Sequence, residues 1–409
     1  MSRVKKNSVF LVLIALVIIS LAVFIPKKQK GVNLEINQEK TGAREVPSPV
    51  SDPKRKTMIK SVRIDLSSLQ VPDKMDQFPA EIMARLLATG ANTVFINPWS
   101  DGEANYQSRQ ASLSVWGENS FLESFVAQAH QAGLEVYAWF VVGRDDFPFI
   151  REPDWFAQTL TGENYYHEDE PGLFLPAASL ANPEYLKYHL LLLDEVADLP
   201  IDGWVISEPL ASWSDRYDAD YADFSPPVLD RFINQFGFNP RTFFTAGEQS
   251  SEKYQLWVDF RAGIVTEFVE KTLEAIRHRS PKPVVITLFT EPGPDGKLKS
   301  FAKLKEWLGE DIDSLLELKP DYLEIQNLYA DFEFPQKPEW ATSFINQFRN
   351  QLDQPVPLMV SIQGFSVEPV DFSKVMALTL AEPVEGVSFY GFHTLPDLAW
   401  DFLREIWQN

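Results

Sequence analysis

The 409-residue chain contains no cysteine, which excludes disulfides, lipid-modified cysteine and thiolate metal ligands. Histidine is scarce as well, and the five, at positions 130, 167, 189, 278 and 393, show no spacing that would bring two onto one metal. Neither a metal nor a cofactor is expected. Glycine-rich phosphate loops are missing, since Gly293-Pro-Asp-Gly296 is a turn that leads into no helix N-terminus. There is no internal repeat beyond a β-α period and no low-complexity tract outside residues 27–57. Basic charge is thin in the part expected to fold: residues 61–409 hold 25 Lys and Arg against 54 Asp and Glu, a net charge of −29. That balance argues against nucleic acid as a partner and for a solvated acidic surface.

Long apolar runs are confined to one. Residues 8–26 carry no charge over about the 20 residues that a helix needs to cross a bilayer. Arg3, Lys5 and Lys6 precede it, which favours a cytoplasmic terminus at residues 1–7 with everything after Pro26 outside, although Lys27, Lys28 and Lys30 reduce the asymmetry. The expectation is a single-pass protein of the cell membrane, held by an uncleaved signal anchor, with its globular part on the extracytoplasmic side. The alternative is cleavage after Ser20-Leu-Ala22 and secretion. Residues 27–57 are rich in Lys, Gln, Pro and Ser without apolar periodicity, as a disordered linker would be, and residues 58–409 form the one folded domain.

Within that domain, β-branched apolar runs alternate with amphipathic segments. Strands are expected at 59–66, 92–97, 135–142, 203–207, 283–289, 322–327, 358–363 and 386–392. Helices are expected at 79–89, 121–132, 183–197, 252–279, 304–318, 340–351, 372–381 and 398–407. Eight strands each followed by a helix predict an α/β fold of the (β/α)8 TIM-barrel type. Gly90 and Gly133 fall just past helices, Asn182-Pro183 is a cap followed by proline, and residues 252–279 carry an apolar stripe that serves as core packing. Residues 98–120 and 209–251 are long loops on the face where such barrels bind and react, and residues 143–180 are an insertion.

Acids at or past the strand ends are therefore the candidates for chemistry: Asp65, Asp101, Asp145, Asp146, Glu208, Glu291, Glu324, Asp331 and Glu333. Glu208 leads, because it ends an apolar strand that follows a helix-ending turn. Glu291 follows strand five, and Glu324 lies within strand six at the same parity as Gln326, so both can face the mouth. Each has a plainer reading, Glu208 as a rim acid paired with an Arg and Glu324 as a buried structural acid. Aromatic residues gather at the same ends, including Trp99, Trp116, Trp139, Trp213, Phe289, Tyr329, Tyr390 and His393. Flat rings stack on the apolar faces of sugars, so acids and aromatics together suit a glycan cleft, although any single Trp is more often core. Asp65, Trp99, Asp101, Trp139, Trp213, Gln326, Tyr329, Tyr390 and His393 are the expected substrate-binding set.

The segments 91–101 (ANTVFINPWSD), 133–142 (GLEVYAWFVV) and 201–204 (IDGW) resemble glycoside hydrolase-type barrels of bacterial envelope proteins. Two relatives fit, glycoside hydrolase-like family 10 and the hydrolase domain of the poly-β-1,6-N-acetylglucosamine deacetylase, glycoside hydrolase family 153. Residues 319–327 resemble their sixth-strand motif through Gln326, and the likeness runs over most of residues 58–395. It implies a catalytic acid at Glu208, with Glu in place of Asp and Pro209 in place of a second acid. Ser207-Glu208-Pro209 also resembles the Asn-Glu-Pro of retaining barrel glycosidases, whose Glu is the acid/base. Those enzymes carry a nucleophilic Glu at the end of strand seven, where this chain reads Val360-Ser-Ile-Gln-Gly364. The deacetylase's metal-binding domain has no counterpart here.

Two functions fit these features. One is a membrane-anchored hydrolase of a cell-surface or matrix polysaccharide, amino sugars included, which Glu208 and the aromatic mouth favour. The other is a non-catalytic glycan-binding barrel of an envelope polysaccharide assembly, which the missing strand-seven Glu favours. The fold alone does not choose between them.

Overall fold

The computed structural model describes residues 57–100, 102–144, 152–170, 173–212, 221–246, 251–293, 295–331 and 339–408. The expected anchor at 8–26 lies outside them, as do Asp101, Asp145, Asp146, Trp213 and Glu333. Among the described residues no helix is long and apolar enough to cross a membrane.

Eight parallel strands close into a barrel: β1 (Ile59–Ile64), β2 (Thr93–Ile96), β3 (Glu135–Val141), β4 (Gly203–Ser207), β5 (Val284–Leu288), β6 (Tyr322–Asn327), β7 (Leu358–Gln363) and β8 (Gly386–Tyr390). β1 pairs with both β2 and β8, which closes the ring and leaves the sheet without an edge. All eight stand where the alternation of the sequence puts them. β1 stops short of its expected end because Asp65 turns back to cap a short 3-10 turn, accepting a hydrogen bond from Ser67 N–H. β8 stops at Tyr390 because Gly391 takes φ +107°.

Strict alternation along the strands separates two cores. Outward residues such as Val62, Val94, Phe140, Trp204, Ile286, Ile325, Val360 and Phe389 are buried beneath the helices. Inward residues make a second, smaller cluster of Ile59, Phe95, Tyr137, Trp139, Val205, Val285 and Met359 that fills the barrel. Two glycines face this interior for steric reasons. A Cβ at Gly203 would lie 2.4 Å from the Tyr137 ring, and one at Gly386 would lie 2.8 Å from the Ile59 Cβ.

The helices follow the expected phase. Ser251 caps Glu252–Arg279 by accepting from Tyr254 N–H, and Asn182 caps Pro183–Val196 with Pro183 in the first turn. The exception is 304–318, expected as one helix. The chain forms two, Phe301–Leu308 and Ile312–Glu317, because Gly309 turns left-handed at φ +74° and Asp311 starts a new helix by capping Ser314 N–H. The long loops carry structure of their own. Residues 98–120 hold a small sheet and the helical turn Val115–Glu118, and the segment after β4 holds the helices Pro226–Phe236 and Arg241–Ala246.

Candidate active site

Halfway up the barrel an ion pair crosses the interior. Arg63 of β1 is 2 % exposed and donates to Glu324 of β6, which is 0 % exposed. Both terminal nitrogens of Arg63 and both oxygens of Glu324 are held: Arg63 also donates to Ser207 Oγ at 2.9 Å and Thr287 Oγ1 at 2.8 Å, while Glu324 accepts from the hydroxyls of Thr287 and Ser388, both at 2.6 Å. The guanidinium lies over the rings of Phe95 and Trp139, at 5.5 and 5.2 Å from their centres. Parity places Glu324 inside the barrel as expected. Its depth and its partners give it the structural arrangement rather than the open one that a catalytic acid needs.

One layer higher stands Glu208, directly after β4. Strict alternation would send it outward with Trp204 and Ile206, since Ser207 points in. A left-handed backbone at φ +53° breaks the alternation, and the side chain reaches Gln326 of β6, whose Nε2 donates to Glu208 Oε1 at 2.7 Å. A non-glycine residue held there costs about 1–3 kcal/mol, and such residues cluster at functional sites. Glu208 N–H is anchored to Thr287 O at 2.9 Å. Trp204 and Ile206, its neighbours along β4, are buried on the outer face of the sheet, beneath the helices.

A second carboxyl beside Glu208 was not among the sequence candidates. Glu310 fills the break between Phe301–Leu308 and Ile312–Glu317, fully buried. Its Oε1 accepts from Phe289 N–H at 3.0 Å, and its Oε2 has no hydrogen-bond partner. Burial pushes this carboxyl well above the usual carboxylate range; the Phe289 bond opposes the rise and the charge of Glu208 adds to it.

The other expected residues divide into three groups. Asp65 and Tyr390 meet at the mouth: Asp65 accepts from Tyr390 OH at 3.2 Å and Asn97 Nδ2 at 2.7 Å, and the Tyr390 ring meets that of Trp139 edge-on at 5.5 Å. Trp139 is a correction: 5 % exposed, it lies in the barrel interior and donates to Ser207 Oγ. His393 lies alongside, its Nδ1 3.3 Å from Ser68 Oγ. Glu291 is ion-paired with Lys299 at 2.6 Å in the turn after β5. Trp99 and Tyr329 are corrections. Trp99, 4 % exposed, stacks on Phe140 outside the barrel, and Tyr329, 3 % exposed, packs into the same outer core. Both follow strand ends, where the chain leaves the sheet and alternation no longer says which way a ring turns. Trp116 is core too, stacked on Phe78.

At the end of β7 stands Gln363, fully buried, accepting from the N–H groups of Ala330 and Asp331 and donating to Asp331 Oδ1 at 2.7 Å. An amide so held is no nucleophile. Among the described residues no group of three or more His, Asp or Glu is arranged to hold a metal ion.

No protein-family model matches the chain, and no curated protein is detectably similar in sequence. Its fold is shared with glycoside hydrolase barrels. The α-L-fucosidase isoenzyme 2 of Paenibacillus thiaminolyticus superposes at a TM-score of 0.61 with 15% identity, over 86% of this chain and 49% of that one, so this chain spans about half its length. The catalytic domain of the β-amylase of Paenibacillus polymyxa superposes at 0.60 with 11% identity, over 85% of this chain and 97% of that one. The endo-1,4-β-mannanase of Rhizomucor miehei superposes at 0.55 with 11% identity, over 86% and 95%. At these identities the likeness is one of fold.

Proposed function

We propose that the chain is a glycoside hydrolase of an extracytoplasmic polysaccharide, cell-surface or matrix, with Glu208 as its proton-transferring carboxyl. The observation that carries this reading is the left-handed turn at Glu208, which takes an acid off the outer face of the sheet and sets it against Gln326 at the active end of the barrel. Gln326 holds Oε1 and with it the plane of the carboxyl. A sugar lying across Tyr390 and Asp65 would meet a ring for its apolar face and a carboxylate for its hydroxyls. Cleavage needs a proton delivered to the leaving oxygen as the C–O bond breaks, and water completes the reaction. Residues 8–26 are proposed as the membrane anchor and 27–57 as its linker.

Gln363 favours a second reading, a barrel that binds glycan without cleaving it, because the position where a retaining glycosidase keeps its nucleophile holds an amide bound to its neighbours. The full-length chain incubated with a panel of amino-sugar and neutral polysaccharides separates the two. New reducing ends support the hydrolase; retention on immobilised glycan without new ends supports the binding barrel. For the anchor, protease added outside intact cells should release a soluble domain, and recovery of full-length chain in the cytosol would overturn the topology.

A further inference from the structure

Glu310 has no part in the roles assigned above, yet its turn is tied to the segment just after β4 and to the end of β5, and those two strand ends are tied to each other. Glu208 N–H donates to Thr287 O at 2.9 Å, Phe289 N–H to Glu310 Oε1 at 3.0 Å, and Ala211 N–H to Leu308 O at 2.7 Å. The approach is close enough that a Cβ at Gly309 would lie 3.0 Å from the Ala211 Cβ. In this seam the Glu310 carboxyl is fully enclosed, with Oε2 meeting no donor. A carboxylate enclosed with a bare oxygen is strongly disfavoured, whereas a carboxylic acid is tolerated.

We propose that Glu310 is a positioning residue for Glu208, the two forming a pair in which Glu310 keeps its proton while Glu208 exchanges its own. The proposal rests on the reading of Glu208 as the proton-transferring group. A residue that gives and regains a proton passes through both charge states, and a permanently ionised neighbour would oppose one of them. A neutral carboxyl opposes neither. When Glu208 becomes charged, that charge makes Glu310 hold its proton more firmly, so the pair releases one proton and not two. Glu310 itself, sealed from the mouth, neither gives nor takes one.

The other charges on the packed elements have partners elsewhere. Arg261, on the helix Glu252–Arg279, donates to the carbonyls of Ala222, Glu306 and Trp307. Lys305 bridges Asp259 and Asp311, Lys303 pairs with Glu306, and Lys299 pairs with Glu291. Glu208 is the charge that acts on Glu310.

The test is a carbon-13 titration of the glutamate carboxyls in the full-length chain, with the Glu310 signal assigned by its loss in Glu310→Gln. It should titrate well above the exposed glutamates and move down when Glu208→Gln removes the neighbouring charge. Melting temperature gives a second readout. A folded-state pKa raised above the unfolded one contributes stability that is full below the unfolded value and is lost as pH rises through the folded one. Glu310→Gln stays neutral, so it should melt with the wild type in acid and above it as pH rises. A Glu310 signal that titrates with the exposed glutamates, one unmoved by Glu208→Gln, or a melting gap constant with pH overturns the proposal. None of these outcomes depends on any glycan being cleaved, so this failure is distinct from failure of the hydrolase reading.

Discussion

Glu324 and Glu208 are both acids of the barrel, a layer apart, and their surroundings are opposite. Both oxygens of Glu324 are answered: Arg63 crosses to it, and the hydroxyls of Thr287 and Ser388 complete its shell. Glu208 sits on a backbone turn that the strand does not favour, its Oε1 held by the Gln326 amide, near a carboxyl, Glu310, with an unanswered oxygen. A satisfied charge fixes structure, while an under-satisfied, strained neighbourhood keeps its chemistry for a ligand. The lesson is that acids on neighbouring strands separate by how fully their partners answer them.

The comparison breaks most sharply at Glu324. Glu324→Ala leaves Arg63 buried without its counter-charge and should cost about 3–5 kcal/mol in denaturant unfolding, whereas Glu208→Gln should cost less than about 1 kcal/mol. Equal losses would erase the distinction drawn here.

Acid should stress the fold through a third region. His189 lies among the rings of Trp99, Phe140, Tyr185 and Phe268, and burial pushes its imidazole down from 6.5 to about 3. The folded chain thus binds that proton less well than the unfolded chain. Its contribution is full above the unfolded value of 6.5 and is lost as pH falls toward 3, at up to about 1.4 kcal/mol per pH unit. His189→Leu should flatten this acid limb and leave the limb of Glu310, where stability falls as pH rises, in place. Melting temperature against pH checks both.

Smaller effects sharpen the contrast at the rim. Gln326→Ala removes the hydrogen bond that orients Glu208 and should lower kcat/KM about tenfold, or about 1.4 kcal/mol, with little loss of stability. Lys299→Ala breaks the half-buried ion pair with Glu291; exposed pairs contribute about 0.2–1 kcal/mol, so a loss of about 1 kcal/mol is expected, and hydrolysis should be unchanged. A large loss there would return Glu291 to the active site.

Much of this was legible before the structure. Alternation places all eight strands, and parity places Glu324 and Gln326 inside the barrel. Parity does not give depth, however, which depends on how the strands are staggered, so a structural acid and a mouth residue two positions apart read alike. Glu208 was singled out as the end of a strand, but not the left-handed turn that redirects it. Glu310 was hidden by an amphipathic pattern that reads as one helix through 304–318. The signal was there in Gly309 followed by Asp311 and Ser314, a stop and then a start. Trp99 and Tyr329 were misplaced because local pattern carries no information once the chain has left its strand.

The most direct test of the central claim is the rate of Glu208→Gln on a glycan that the wild type cleaves. Gln preserves shape and the contact with Gln326 but does not readily deliver a proton, so kcat should fall about 10²- to 10⁴-fold while glycan binding and melting temperature survive. Hydrolysis by Glu208→Gln at the wild-type rate would contradict the account and make Glu208 an acid of the rim.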